Sequence, residues 1–354
     1  MVAIISVHVT TAPPLTAILA HRGLSLALAT PFKFGTIGFF LVSGFLMGER
    51  VDRCDPFQYF AKRTKRIFFS WLTWFSIYAV LNFALFVATD NLGRSNPLKA
   101  IYWTLAYCLF YSAYWFVPNF LIGLATILAL RRFLYTLQLG IFLLAINLVY
   151  VVNIYRLWFP SLHTQAIFGF VFYLWLGSYI AHHFDSFNRA LSRFPMAIFI
   201  ILAFATAALS YGETTLLRAL HNPDPLNTLR ASNQLFSLSI ALLLFKIPRP
   251  TWPSFIDVRR YTFGIYLTHT IITFFVLGAL KLARQRLPVL STVSDFHYLC
   301  AAFTLALLTY FLCVRITAWF AESDGLQWMV GVSSPDSSRP SLRETARPTA
   351  FSSN

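Results

Sequence analysis

Charge is scarce in this chain. Asp, Glu, Lys and Arg make up 12% of its 354 residues, while 57% are hydrophobic and 18% aromatic. A soluble globular domain carries about twice that share of charge, so this class is excluded. Acidic residues are the scarcer sign, 13 against 28 Lys and Arg, which leaves a formal net charge of +15. That excess suits anionic lipid headgroups, and no aromatic-basic platform or nucleic-acid fold signature accompanies it. Cysteine is rarer still. Cys54, Cys108, Cys300 and Cys313 are widely spaced, which gives neither a disulfide framework nor a metal site. His182 and His183 are adjacent, so on a helix they point about 100° apart, and no convergent carboxylate or Cys joins them. The first apolar run has no basic start and no small-residue cleavage site, so no cleavable signal peptide is expected.

What the chain has is apolar length. A hydrocarbon layer about 30 Å thick needs roughly twenty mostly apolar residues per crossing. Ten such segments stand between Lys, Arg, Asn or Pro punctuation, at 1–11, 34–48, 67–88, 115–130, 138–152, 166–181, 195–211, 229–247, 261–280 and 298–320. The expected fold is all-α, a polytopic membrane bundle of about ten transmembrane helices over residues 1–320. Residues 321–354 are a polar Ser, Pro and Arg tail, expected to be disordered. The apolar run 102–114 reads as a re-entrant or interfacial piece.

Sidedness follows from Lys and Arg in alternate loops. With the Arg63 loop inside, the inner loops hold fourteen and the outer ten, and the weight comes from Lys62, Arg63, Lys65 and Arg66 crowded together. Both termini are then expected in the cytoplasm.

An ionisable group within hydrocarbon is costly and is kept for a use. His8 lies in the first apolar run and His269 in the ninth, whereas Arg315 is close enough to a span end to snorkel. A neutral imidazole can take a proton from a hydroxyl near pH 7. Each histidine could equally be packed in the core against a carbonyl or hydroxyl.

These pieces, in order, resemble the acyltransferase-3 family of integral membrane O-acyltransferases. The resemblance rests on His8, on the run Phe39-Phe40-Leu41-Val42-Ser43-Gly44-Phe45, and on Arg63-Thr64-Lys65-Arg66 leading into Trp71. Trp115-Phe116 and Tyr266-Leu267-Thr268-His269 complete it. It implies that His8 is catalytic, as a base toward the acceptor hydroxyl or as a brief carrier of the acyl group. Arg63 and Arg66 would hold the phosphates of an acyl-CoA co-substrate, acetyl-CoA by preference, through forked guanidiniums. Ser43, Tyr266 and His269 would line the buried path, with Ser43 or Tyr266 donating to the oxyanion, and Trp115 would be tunnel wall or interfacial anchor. No bound cofactor and no metal are expected. The partners implied are the acyl-CoA donor, a cell-surface or lipid-linked glycan acceptor and membrane lipid, in a bacterial inner membrane.

Family members carry an Arg eleven positions before the catalytic His, and only seven residues precede His8 here. The twelve residues before Pro13-Pro14 would span only about 18 Å as helix. The expectation is that the reading frame continues upstream of Met1, or else that His8 sits close to the cytoplasmic surface. The competing function is a multi-pass transporter or flippase of an anionic or lipid-linked saccharide. Such a carrier should show internal repeats, and residues 1–150 and 155–320 show no self-similarity.

Overall fold

The computed structural model describes residues 1–11, 22–51, 54–88, 96–247, 258–286 and 295–332. Among them the chain is helical and contains no strand. In order come α1 (Val2–Thr10), α2 (Arg22–Ala29), α3 (Phe34–Val51), α4 (Pro56–Ala88), α5 (Pro97–Phe110), α6 (Phe116–Ala129) and α7 (Leu137–Arg156). They are followed by α8 (Val171–His182), α9 (Phe184–Ser192), α10 (Met196–Ala219), α11 (Ala231–Lys246), α12 (Val258–Arg286) and α13 (Asp295–Glu322). Local chemistry sets several starts. Pro56 opens α4 while the Asp55 carboxylate accepts from the Gln58 N–H at 2.8 Å, and Asn96 before Pro97 caps α5 by accepting from Leu98 N–H at 2.9 Å. In both, an orphan donor of the first turn finds a side-chain oxygen.

All ten apolar segments are helical, but among the described residues only six helical stretches are long and apolar enough to cross a bilayer. These are Leu24–Gly48, Pro56–Ala88, Leu137–Arg156, Met196–Ala219, Arg260–Ala283 and Leu299–Glu322. Ile167–His182 with Phe184–Ser192, bent by 87°, makes a seventh if the pair counts as one span. α1, α6 and α11 have 9, 14 and 16 residues, short of the roughly twenty that a crossing needs. Large apolar side chains such as Val80, Ile201, Phe204 and Phe303 are more than 60% exposed, the surface a lipid-facing helix presents. This is a membrane protein.

Glycine sets the tightest contact, between α3 and α8. A Cβ on Gly177 would lie 2.0 Å from the Leu41 carbonyl oxygen, and one on Gly44 would lie 2.0 Å from that of Leu174. Ser178 Oγ then donates to Gly44 O at 3.0 Å across the pair. Small residues that let two backbones approach are how helices pack where lipid removes the hydrophobic drive. Gly177→Leu is therefore expected to force the pair apart and cost about 1–3 kcal/mol or more. A lower melting temperature in detergent checks this, while Gly212→Leu, with nothing within 4 Å of the added Cβ, should leave it unchanged.

The bundle has two ends. One gathers the C-terminus of α3, the start of α4, the α6–α7 link and the far ends of α8 and α11. There Tyr135 OH donates to Gly48 O at 2.7 Å, and Lys246 Nζ to Leu191 O at 3.1 Å. This is the basic end, with Arg63 and Arg66. The packed chain continues beyond the expected boundary at residue 321. A 3-10 turn at Gln327–Val330 docks on α4, where Trp74 Nε1 donates to Met329 O at 2.8 Å and Arg66 Nε to Gly331 O at 3.1 Å, with Val330 buried. The turn itself carries apolar Trp328, Met329 and Val330, but it is short and runs into the Ser, Pro and Arg-rich sequence from Ser333 on, which hid it. Residues 333–354 and the Pro13-Pro14 break lie outside the described residues.

Candidate active site

At the opposite end the helices enclose a cavity of about 320 Å³, continuous in its lining with a smaller one of about 30 Å³. α1 presents Ile4, Val7, His8 and Thr11 to the larger cavity, the i, i+3, i+4, i+7 stripe of one helix face. Ile5 and Val9 on its other side are fully buried in a cluster with Ile265, Ala302 and Ala306 of α12 and α13. That packing fixes the rotation of α1 and turns His8 into the cavity. Thr36 joins from α3, and Tyr111, 65% exposed, marks where the cavity meets the surface.

His269, from the middle of α12, stands behind His8. The two rings are 5.4 Å apart, although 261 positions separate them in sequence. His269 is fully buried, and its Nδ1 bonds the carbonyl of Tyr266. A carbonyl only accepts, so Nδ1 holds the hydrogen. Nε2 has no hydrogen-bond partner among the described residues. Of the expected site residues, His8, His269, Tyr266 and Trp115 come together. Tyr266 lines the smaller cavity beside His8, and Trp115 lines both. His8 lies toward the end away from Arg63.

Three expected roles change. The Tyr266 hydroxyl donates to Ala113 O at 2.6 Å, which commits its only hydrogen and leaves none for an oxyanion. Ser43 lies on the Thr36 and Phe39 face of α3 but one turn beyond Phe39 toward the basic end, and it lines neither cavity. His269 likewise lines neither, being one layer back.

Sequence reading missed a second imidazole. His163 starts the 3-10 turn His163–Gln165 between α7 and α8, and it lines the larger cavity with Asp224 from the α10–α11 loop. His163 Nδ1 is 2.6 Å from Asp224 Oδ2, and the His163 backbone N–H donates to the same oxygen at 3.2 Å. Trp115 meets the His163 ring edge-on at 5.4 Å. Burial alone would raise the Asp224 carboxyl, but His163 with its side-chain and backbone hydrogen bonds, and the nearby Lys33, outweigh this and hold it at about 2. Asparagines pin the surrounding loops. Asn119 Nδ2 donates to Thr164 O at 3.2 Å, Asn227 Nδ2 to Ser161 O at 2.6 Å, and Asn222 Nδ2 to Ile154 O at 2.6 Å. The available signal was a polar His and an Asp in two breaks between apolar runs, with no local spacing to join them.

At the basic end, Arg63 Nη1 donates to Tyr59 OH at 2.7 Å, and its guanidinium lies 5.3 Å from the Phe120 ring centre. Arg66 faces Gly331. The two arginines share the end but not a contact, being three residues apart on α4 and directed to different neighbours. From Phe120 the rings continue to Phe116, stacked at 6.1 Å, then to Tyr266 at 5.5 Å. An aromatic column thus joins Arg63 to the wall beside His8. Among the described residues, no group of three or more His, Cys, Asp or Glu could hold a metal ion.

No curated protein and no solved structure matches the chain. The profile of one family does, described as an acyltransferase domain, over residues 1–318. With a histidine on the wall of a cavity among membrane helices and nine-tenths of the sequence matched, the chain belongs to the acyltransferase-3 family.

Proposed function

We propose that this chain is a membrane O-acyltransferase that moves an acyl group, acetyl by preference, from cytoplasmic acyl-CoA to a hydroxyl of a cell-surface or lipid-linked glycan. The observation that carries the reading is the position of His8 on a cavity wall at the end of the bundle remote from Arg63, with aromatic rings between the two. The donor's phosphates meet Arg63 and Arg66 at the basic end, where guanidinium forks suit them. Its thioester reaches His8 along the Phe120, Phe116 and Tyr266 column, which keeps water away from a bond that water would hydrolyse. The acceptor enters the cavity from the other side. In a bacterial inner membrane with both termini inside, the Lys and Arg excess puts the basic end in the cytoplasm. The short helices α1, α6 and α11 complete ten spans where the bilayer thins around them.

The test is the ester content of surface glycans, read by mass spectrometry in a strain lacking the gene and in the same strain carrying it. The expected result is an ester present only when the chain is present, its mass naming the acyl group. Identical glycans in the two strains would leave the transporter or flippase as the better reading.

A further inference from the structure

We propose that His163 is the base that takes the proton of the acceptor hydroxyl, with Asp224 as its positioning residue, an assignment that rests on the acyl-transfer reading above. His163 and His8 line the same cavity, but their surroundings differ. Among the described residues no hydrogen bond orients the ring of His8, whereas His163 Nδ1 is held by the Asp224 carboxylate at 2.6 Å. A carboxylate only accepts, so Nδ1 carries the hydrogen and the Nε2 lone pair is the free one. This is the arrangement of a base oriented by a third group. The side chains are 19% and 12% exposed, enough for a molecule in the cavity to reach His163 while Asp224 stays mostly covered.

A tie between two loops is the plainer use of such a pair. The loops are already tied by Asn119, Asn222 and Asn227 through the backbone oxygens of Thr164, Ile154 and Ser161. What those bonds add is a fixed place for His163 beside the edge of Trp115, and preorganisation of this kind is what a catalytic group requires. The step balances. The acceptor oxygen attacks the thioester carbonyl, the new C–O bond forms as the C–S bond breaks, and the hydroxyl proton passes to His163 Nε2. The thiolate leaves toward the basic end, and the imidazolium of His163 gives up its proton through water in the cavity to His8, whose imidazolium passes it to the departing sulfur.

The experiment places Asp224→Asn, Asp224→Glu and His163→Gln, each in the full chain, in the strain lacking the gene. It reads the initial rate of glycan ester formation, and the affinity of each purified variant for coenzyme A. Asp224→Asn and His163→Gln are expected to slow ester formation by about 10²- to 10⁴-fold with unchanged coenzyme A binding. Asp224→Glu, which keeps a carboxylate, should recover part of the rate. Wild-type rates in Asp224→Asn and His163→Gln would overturn the assignment and leave the acyl-transfer reading standing. Loss of coenzyme A binding in both would overturn it too, since the pair would then only hold the fold. No ester from the wild-type chain would overturn the acyl-transfer reading itself.

Discussion

His8→Ala is expected to abolish ester formation, a fall of about 10²- to 10⁴-fold for the loss of one catalytic imidazole, with the protein still inserted at the wild-type level. The stability cost is small for a physical reason. No hydrogen bond of the His8 ring exists among the described residues, and its neighbour is the His269 ring at 5.4 Å. Aromatic pairs of this kind are worth about 0.5–1.5 kcal/mol beyond the area they bury. The turns around it are held by others. Ile5 and Val9 pack on α12 and α13, and Thr10 Oγ1 donates to Ser6 O at 2.7 Å. Membrane content by immunoblot, beside the ester assay, separates lost chemistry from lost protein. His8→Ala with full activity would remove the catalytic assignment.

Arg63→Ala should raise the apparent KM for acyl-CoA about ten- to a hundredfold, the loss of a charge-assisted hydrogen bond worth about 1.5–3 kcal/mol. Arg66→Ala should cost less, because its Nε is engaged with Gly331 O at 3.1 Å. Removing it also loosens the turn at Gln327–Val330. Arg63→Lys distinguishes two kinds of contact. A forked guanidinium contact is lost in the lysine variant, and a purely electrostatic one is kept. Steady-state kinetics with acyl-CoA as the varied substrate decide this, and an unchanged KM in Arg63→Ala would leave Arg63 as a topological anchor only.

The apolar segments were legible because hydrocarbon demands length and composition that few other structures need. Their ends were less so. Reading α4 from residue 67 lost its first eleven residues, since Lys62, Arg63, Lys65 and Arg66 break the hydropathy while leaving the helix intact from Pro56. α9 was passed over for the opposite reason, being an amphipathic helix with too little apolar length to register as a span. In the site, His8 and His269 stood out as ionisable groups in apolar runs, but that they meet is a tertiary fact no spacing contains. Tyr266 illustrates a different limit. It lines the smaller cavity beside His8, yet where its hydroxyl points depends on Ala113, 153 positions away. His163 and Asp224 escaped because loop residues have no period, and their partnership is made by the packing of α7, α8, α10 and α11.

In the proposed reaction the donor binds at the basic end and the acceptor at the other. The direct measurement uses membrane vesicles that carry the host's own glycans, supplied from outside with radiolabelled acetyl-CoA. Orientation is scored in the Cys300→Ser variant, which removes the other exposed cysteine, by the reaction of exposed Cys54, next to the start of α4, with an impermeant maleimide. Vesicles whose Cys54 is accessible are predicted to incorporate label into a base-labile glycan ester, and sealed vesicles of the other orientation are predicted to incorporate none. Equal incorporation in both orientations, or incorporation only where Cys54 is shielded, would contradict the account.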